Sequence, residues 1–196
     1  MRRAALLLST IALAVVVGGG VAGAATILCD GGHCSGTKRP DSIFGTNRHD
    51  AVFARAGGDF VSGRAGPDNL NGERGDDEVL GWRGDDWVKG GRGGDEVVGG
   101  LGNDRITGGS GHNIIRAGDG MRDLIVCGED SWNRIFYDPR LDRFSNCVFI
   151  HKSVQATGSG ESSVIARGSS RAQLGAGSLF QTLRPLKMLK GVFNHH

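Results

Sequence analysis

The chain has 196 residues, of which 35 are glycine, against only 8 Phe, 3 Trp and 1 Tyr. Ordinary glycine usage is about 7%, so this composition argues against a conventional close-packed core and calls for an architecture that needs glycine. The formal charge of +2 is no argument for nucleic-acid binding, because it hides a split: residues 25–151 carry 15 basic and 20 acidic side chains, whereas residues 152–196 carry 6 and 1.

Residues 1–24 read as a secretory signal. Arg2 and Arg3 supply a positive start, Ala4 to Val17 is apolar, and Ala22-Gly23-Ala24 is a small-residue cleavage pattern placing the cut before Ala25. The apolar run is shorter than the roughly 20 residues a membrane-spanning helix needs. The expectation is a secreted or cell-surface protein with no stable membrane insertion once the signal is removed.

From Gly36 the chain falls into a nine-residue frame. Segments begin at Gly36, Gly45, Ala54, Gly63, Gly72, Gly81, Gly90, Gly99, Gly108 and Ala117. The sixth position holds Asp41, Asp50, Asp59, Asp68, Asp77, Asp86, Asp95 and Asp104, then Asn113. The eighth is aliphatic throughout, from Ile43 to Ile115; one inserted residue shifts the tenth segment, where Asp123 and Ile125 take these places. The fourth is Gly from Gly57 onward but Arg39 and Arg48 in the first two segments.

Each position has a physical reason. The glycines allow a tight chain reversal. The aliphatic residue sits in a short extended stretch, and one such residue per segment can be buried only by stacking in a column. The aspartate closes the turn, where it faces an aspartate of a stacked turn. Stacked carboxylates, without thiolate or imidazole, suit a hard cation that takes oxygen ligands.

Gly90-Gly91-Arg92-Gly93-Gly94-Asp95-Glu96-Val97-Val98 and Gly99-Gly100-Leu101-Gly102-Asn103-Asp104-Arg105-Ile106-Thr107 match the nonapeptide G-G-x-G-x-D-x-U-x. Residues 36–125 thus resemble the RTX, or haemolysin-type, calcium-binding repeats. The resemblance implies an all-β fold, a right-handed parallel β-roll with two nonapeptides per coil. It also implies calcium held between adjacent turns by the sixth-position aspartates and backbone carbonyls. Carried over, one side pairs Asp41/Asp59, Asp59/Asp77 and Asp77/Asp95, and the other pairs Asp50/Asp68, Asp68/Asp86 and Asp86/Asp104. Asp123 supplies a partial further site, and Gly66, Gly75, Gly84, Gly93 and Gly102 supply candidate backbone carbonyls. Arg39 and Arg48 depart from the pattern and weaken the two most N-terminal sites. Asn113 lacks the charge to extend its column.

The four cysteines allow three pairings. Cys29–Cys34 and Cys127–Cys147 are favoured because each pair flanks one end of the repeat, and disulfides are the default in an exported chain. A zinc site of Cys29, His33 and Cys34 fits no common ligand spacing. Residues 25–35 and 126–151 read as end caps, which a solenoid needs to cover its core and strand edges. Residues 152–196 read as a Ser/Gly-rich basic tail, disordered over 152–178. Within it Leu179, Leu183, Leu186 and Leu189 can share a helical face with Arg184, Lys187 and Lys190 alongside, a segment able to meet a membrane, an acidic surface or the roll itself.

No H-E-x-x-H, G-x-S-x-G or phosphate-loop motif is present, so a non-enzymatic module is expected. His49 and His112 fall on turns and read as solvated residues. Arg74-Gly75-Asp76 and Arg83-Gly84-Asp85 are products of the repeat rather than adhesion motifs. Trp82 and Trp87 are expected to face outward. They and the basic tail are what favours the alternative, an adhesion or matrix protein binding a cell surface or a carbohydrate.

Overall fold

The computed structural model describes residues 15–16, 24–153 and 162–168. Most of the expected signal and the whole Leu179–Phe193 segment therefore lie outside the described residues. In chain order the strands are β1 (Val15–Val16), β2 (Ala25–Leu28), β3 (Gly32–Ser35), β4 (Asp41–Phe44), β5 (Asp50–Phe53), β6 (Phe60–Ala65), β7 (Asn69–Arg74) and β8 (Glu78–Arg83). Then follow β9 (Trp87–Arg92), β10 (Glu96–Leu101), β11 (Arg105–Arg116), β12 (Leu124–Val126), β13 (Ser131–Tyr137), β14 (Arg143–Ser145), β15 (Cys147–Ser153) and β16 (Ser162–Gly168). Among the described residues there is no helix.

The chain winds as a parallel β-solenoid of about seven turns. One wall stacks β2, β4, β6, β8, β10, the second half of β11 and β13. The other stacks β3, β5, β7, β9, the first half of β11, β12 and β14. Successive nonapeptides therefore lie on opposite walls, and each coil is two nonapeptides long: Ile43 stands beside Val61 and Val61 beside Val79.

Period-two alternation within each strand turns the eighth-position residue inward. Ile27, Ile43, Val61, Val79, Val97, Ile115 and Ile135 form one fully buried column, and Cys34, Val52, Leu70, Val88, Ile106 and Ile125 form the column facing it. Each such aliphatic side chain contributes about 1.5–3 kcal/mol by leaving water. With one inward aliphatic residue per nonapeptide, the core is a thin double file.

The ladder continues past both ends of the consensus repeat. Ile27 registers with Ile43 and Cys34 with Val52, so residues 25–35 form a coil stacked on the first recognisable one. Beyond Ile125, β14 sets Phe144 beside Ile125, and Phe144 packs edge-on against Tyr137 and Phe149, with ring centres 4.9 and 5.0 Å apart. Cys29–Cys34 and Cys127–Cys147 are both disulfide-bonded, as expected. The second joins residues 20 apart, a closure that stabilises by about 3 kcal/mol through the unfolded chain.

Within the segment 152–178, expected to be disordered, the described residues 162–168 depart from that expectation. Ser162–Gly168 is strand β16, running antiparallel between β13 and β15. Val164 and Ala166 alternate inward and are buried, opposite Ile135 and Asn133. The reason is the edge of β13, whose free backbone groups need a partner. Small residues at period two lie over it without needing a long apolar run.

Candidate metal centre

The turns between strands bring the sixth-position aspartates into two files, one along each edge of the roll. Within a file each backbone N–H donates to Oδ1 of the aspartate one coil on. Asp41 donates to Asp59 (2.7 Å), Asp59 to Asp77 (2.8 Å) and Asp77 to Asp95 (3.0 Å). On the other edge Asp50 donates to Asp68, Asp68 to Asp86 and Asp86 to Asp104, each at 2.8 Å. The sequence-based pairs are thus the pairs that the fold stacks.

From Asp59 to Asp123 this ladder uses Oδ1 of each aspartate and leaves Oδ2, while Asp50 keeps its Oδ1 unpartnered. Oδ2 of Asp59, Asp68, Asp77, Asp86, Asp95, Asp104 and Asp123, and Oδ1 of Asp50, are buried without a hydrogen-bond partner. The parent residues are at most 3% exposed. A buried carboxylate oxygen with no partner is costly, so eight in register describe a site built to receive cations.

Two glycines show how tightly the turns fit around these oxygens. A Cβ on Gly81 would stand 2.5 Å from Asp86 Oδ2 and 2.3 Å from the Gly99 carbonyl oxygen. Gly75, with φ of +129°, lies so close to the coil below that a Cβ would meet the Gly57 carbonyl oxygen at 1.4 Å. The fourth-position N–H groups of Gly66, Gly75, Gly84 and Gly93 donate to the third-position carbonyl one coil on.

Burial raises the pKa of seven of these carboxyls above the ordinary value of 3.8. Asp59 and Asp86 are pushed to about 6, Asp68, Asp95 and Asp104 to about 7, and Asp123 to about 8. Asp77 is raised as well. Desolvation is the main cause, and aspartates in or beside the file push the same way. A cation would remove both penalties.

The donor set fits calcium. Among the described residues no three His, Cys, Asp or Glu side chains converge on one point, so a complete shell needs backbone carbonyls beside the carboxylates. Calcium takes six to eight such oxygens in flexible geometry.

The ends of the files differ from the middle. Both oxygens of Asp41 are occupied: Oδ2 accepts from the Thr37 N–H at 2.6 Å, and Oδ1 from Thr37 Oγ1 and the Ala25 N–H. In the next turn Asp50 Oδ2 accepts from Thr46 N–H and Oγ1. At the far end Asn113 Oδ1 accepts from the Asp95 N–H, and its Nδ2 donates to Asn133 Oδ1 at 2.9 Å. Asn133 Nδ2 in turn donates to Ser131 Oγ. The other file runs from Asp104 to Asp123 and on to Asp142, whose oxygens accept from the N–H groups of Asp123 and Asp138.

The nine-residue frame does not reach Asn133 and Asp142, which the structure adds to the files. The steps from Asn113 and Asp123 are 20 and 19 residues instead of 18, which breaks the frame. The one sequence signal for them is an aliphatic or aromatic residue two positions later, Ile135 and Phe144. His49 lies on an exposed turn, but His112, expected on a turn, is exposed within strand β11 beside Trp132, and Trp82 and Trp87 face solvent at 54% and 51% exposure.

A parallel solenoid whose turns stack buried, half-satisfied carboxylates defines a calcium-binding β-roll. Comparison with family models agrees: the RTX calcium-binding nonapeptide repeat matches four times, at residues 35–70, 53–88, 62–97 and 89–120. Residues 35–120 therefore carry RTX calcium-binding nonapeptide repeats. Comparison with curated proteins and with solved structures gave no match.

Proposed function

We propose that the chain is an exported, non-enzymatic module whose activity is to bind calcium along two files of aspartates and to fold as it does so. The observation that carries this is the register of eight buried carboxylate oxygens without a partner. On this reading Asp50, Asp59, Asp68, Asp77, Asp86, Asp95, Asp104 and Asp123 are the principal side-chain ligands. Asp41, with both oxygens engaged, is a weaker one. The turn carbonyls of Gly66, Gly75, Gly84, Gly93 and Gly102 complete the shells. Calcium supplies the positive charge that lets stacked carboxylates stay ionised in the dry interior of the turn.

Export is supported by the residue pattern of positions 1–24 and by the typical export of proteins carrying these repeats. Among the described residues no helix is long and apolar enough to cross a membrane. Extracellular calcium modules bind at about 10⁻⁴–10⁻³ M, so a chain held open at low calcium would close after export.

The test is far-ultraviolet circular dichroism of residues 25–196, titrated with calcium and reversed with chelator, beside isothermal titration of the Asp77→Ala/Asp86→Ala variant. A reversible gain of β-structure near millimolar calcium, with fewer ions bound by the variant, is expected. Calcium-induced structure that survives the double change intact would refute the ligand assignment.

A further inference from the structure

We propose that the outer face of the β7–β9 wall is a binding site for an acidic polysaccharide, a function separate from the calcium files. Asn71, Glu73 and Arg74 of β7, with Lys89, Gly91 and Arg92 of β9, line a shallow groove of about 320 Å³. Strand register sets Glu73 beside Gly91 and Arg74 beside Arg92. Gly91 has no side chain to stack on Glu73, so the groove is a notch in the side-chain surface of this wall.

The charges around this notch are free. Among the described residues the single ion pair is Arg116–Glu96, on the opposite wall. Arg74, Lys89 and Arg92 are exposed and have no carboxylate partner. Beside them Trp87 presents an exposed ring, with the Arg105 guanidinium 5.7 Å from its centre. The face thus gathers four cations and a flat aromatic surface on a protein whose aspartates lie in the turns and their files.

The mixture of groups selects the ligand. Parallel strands lie about 4.8 Å apart, so the Arg74 and Arg92 stems repeat at roughly the advance of one sugar ring along an extended polymer. Guanidinium groups bind carboxylate or sulfate in bidentate fashion, and indole rings stack on sugar faces as amphipathic platforms. Glu73 and Asn71 accept hydrogen bonds from hydroxyl groups. The same carboxylate, and the acidic turns flanking the face, oppose duplex nucleic acid, which carries a charge about every 1.7 Å.

The experiment uses the full mature chain at a fixed, buffered free calcium concentration, with a chondroitin sulfate octasaccharide as probe and binding read by titration calorimetry. The Arg74→Ala/Arg92→Ala variant is expected to bind about tenfold more weakly, as loss of two exposed charge-assisted contacts implies. Its calcium-induced circular dichroism should be unchanged, which separates a failed site from a failed fold. Arg83→Ala/Arg134→Ala, on the other wall, should bind as the parent does. Equal losses in the two variants, no binding by the parent, or tighter binding of an oligonucleotide of the same charge would each overturn the proposal.

Discussion

The middle of the roll and its ends solve the same turn in opposite ways. From Asp59 to Asp104 each carboxylate spends one oxygen on the neighbouring coil's N–H and holds the other buried and unused. At the N-terminal end Thr37 helps to occupy both oxygens of Asp41, and Thr46 occupies Oδ2 of Asp50 and leaves its Oδ1 unpartnered. At the C-terminal end of one file Asn113 and Asn133 replace carboxylates with amides that bond each other. The lesson is that one backbone can be closed by a cation or by a hydrogen bond, and the side chain at position six, with its neighbour at position two, decides which.

The largest expected effect breaks the molecule along this line. With calcium chelated at pH 7.5, hydrogen exchange should lose protection across β6 to β10 and keep it at β13 and β16, where no buried carboxylate stands alone. Uniform loss or uniform retention would erase the distinction.

The reciprocal substitutions come next. Asp77→Asn puts the amide solution into the middle. It should remove a ligand from both pairs that Asp77 joins, lower the calcium stoichiometry in calorimetry, and leave the metal-free protein more structured. Asn113→Asp with Asn133→Asp puts the middle's solution at the end. That pair should make β13 protection calcium-dependent where it was not.

Acidity gives a smaller and continuous test. The raised carboxyls bind protons more tightly in the fold than in the unfolded chain, where the value is near 3.8. Their contribution to metal-free stability is therefore complete below about pH 4, and it is lost as pH rises through about 6 to 8. Chelated protein should gain β-signal on acidification from about pH 8 to about pH 5, and calcium binding near neutrality should release protons. A metal-free melting temperature that is flat across that range would show the files to be less buried than described.

The smallest effect belongs to Thr46→Val. It deletes the hydroxyl that donates to Asp50 at 2.9 Å and accepts from the Arg48 N–H at 3.1 Å. A loss of about 1 kcal/mol is expected in denaturant melts, and nearly the same with and without calcium.

The regular part of this architecture was legible because the nine-residue frame is strict. A glycine, an aspartate and an aliphatic residue each recur at one phase, and that spacing calls for stacked aliphatic residues; that Val61, Val79 and Val97 share one column followed from the resemblance, which implies two nonapeptides per coil. The ends were less legible. Asn133 and Asp142 join the files through loops one or two residues longer than the repeat, so no fixed period points to them. Strand β16 was hidden because edge pairing recruits backbone, and Ser162–Gly168 needs only Val164 and Ala166 turned inward. Thr37 and Thr46 were visible as sequence, yet their hydrogen bonds to Asp41 and Asp50 depend on turn geometry that no spacing reveals.

The two-nonapeptide coil means that the length of this molecule is quantised. Removing or adding 18 residues within the repeat would return every side chain to its own wall and leave both files whole, shorter or longer by one rung. A change of nine would send all downstream residues across to the opposite wall, exchanging the Trp82 face for the Trp87 face and joining the amide-terminated file to the wrong partner. Growth or loss by tandem duplication is therefore tolerated in even steps, and the surface pattern is inherited coil by coil.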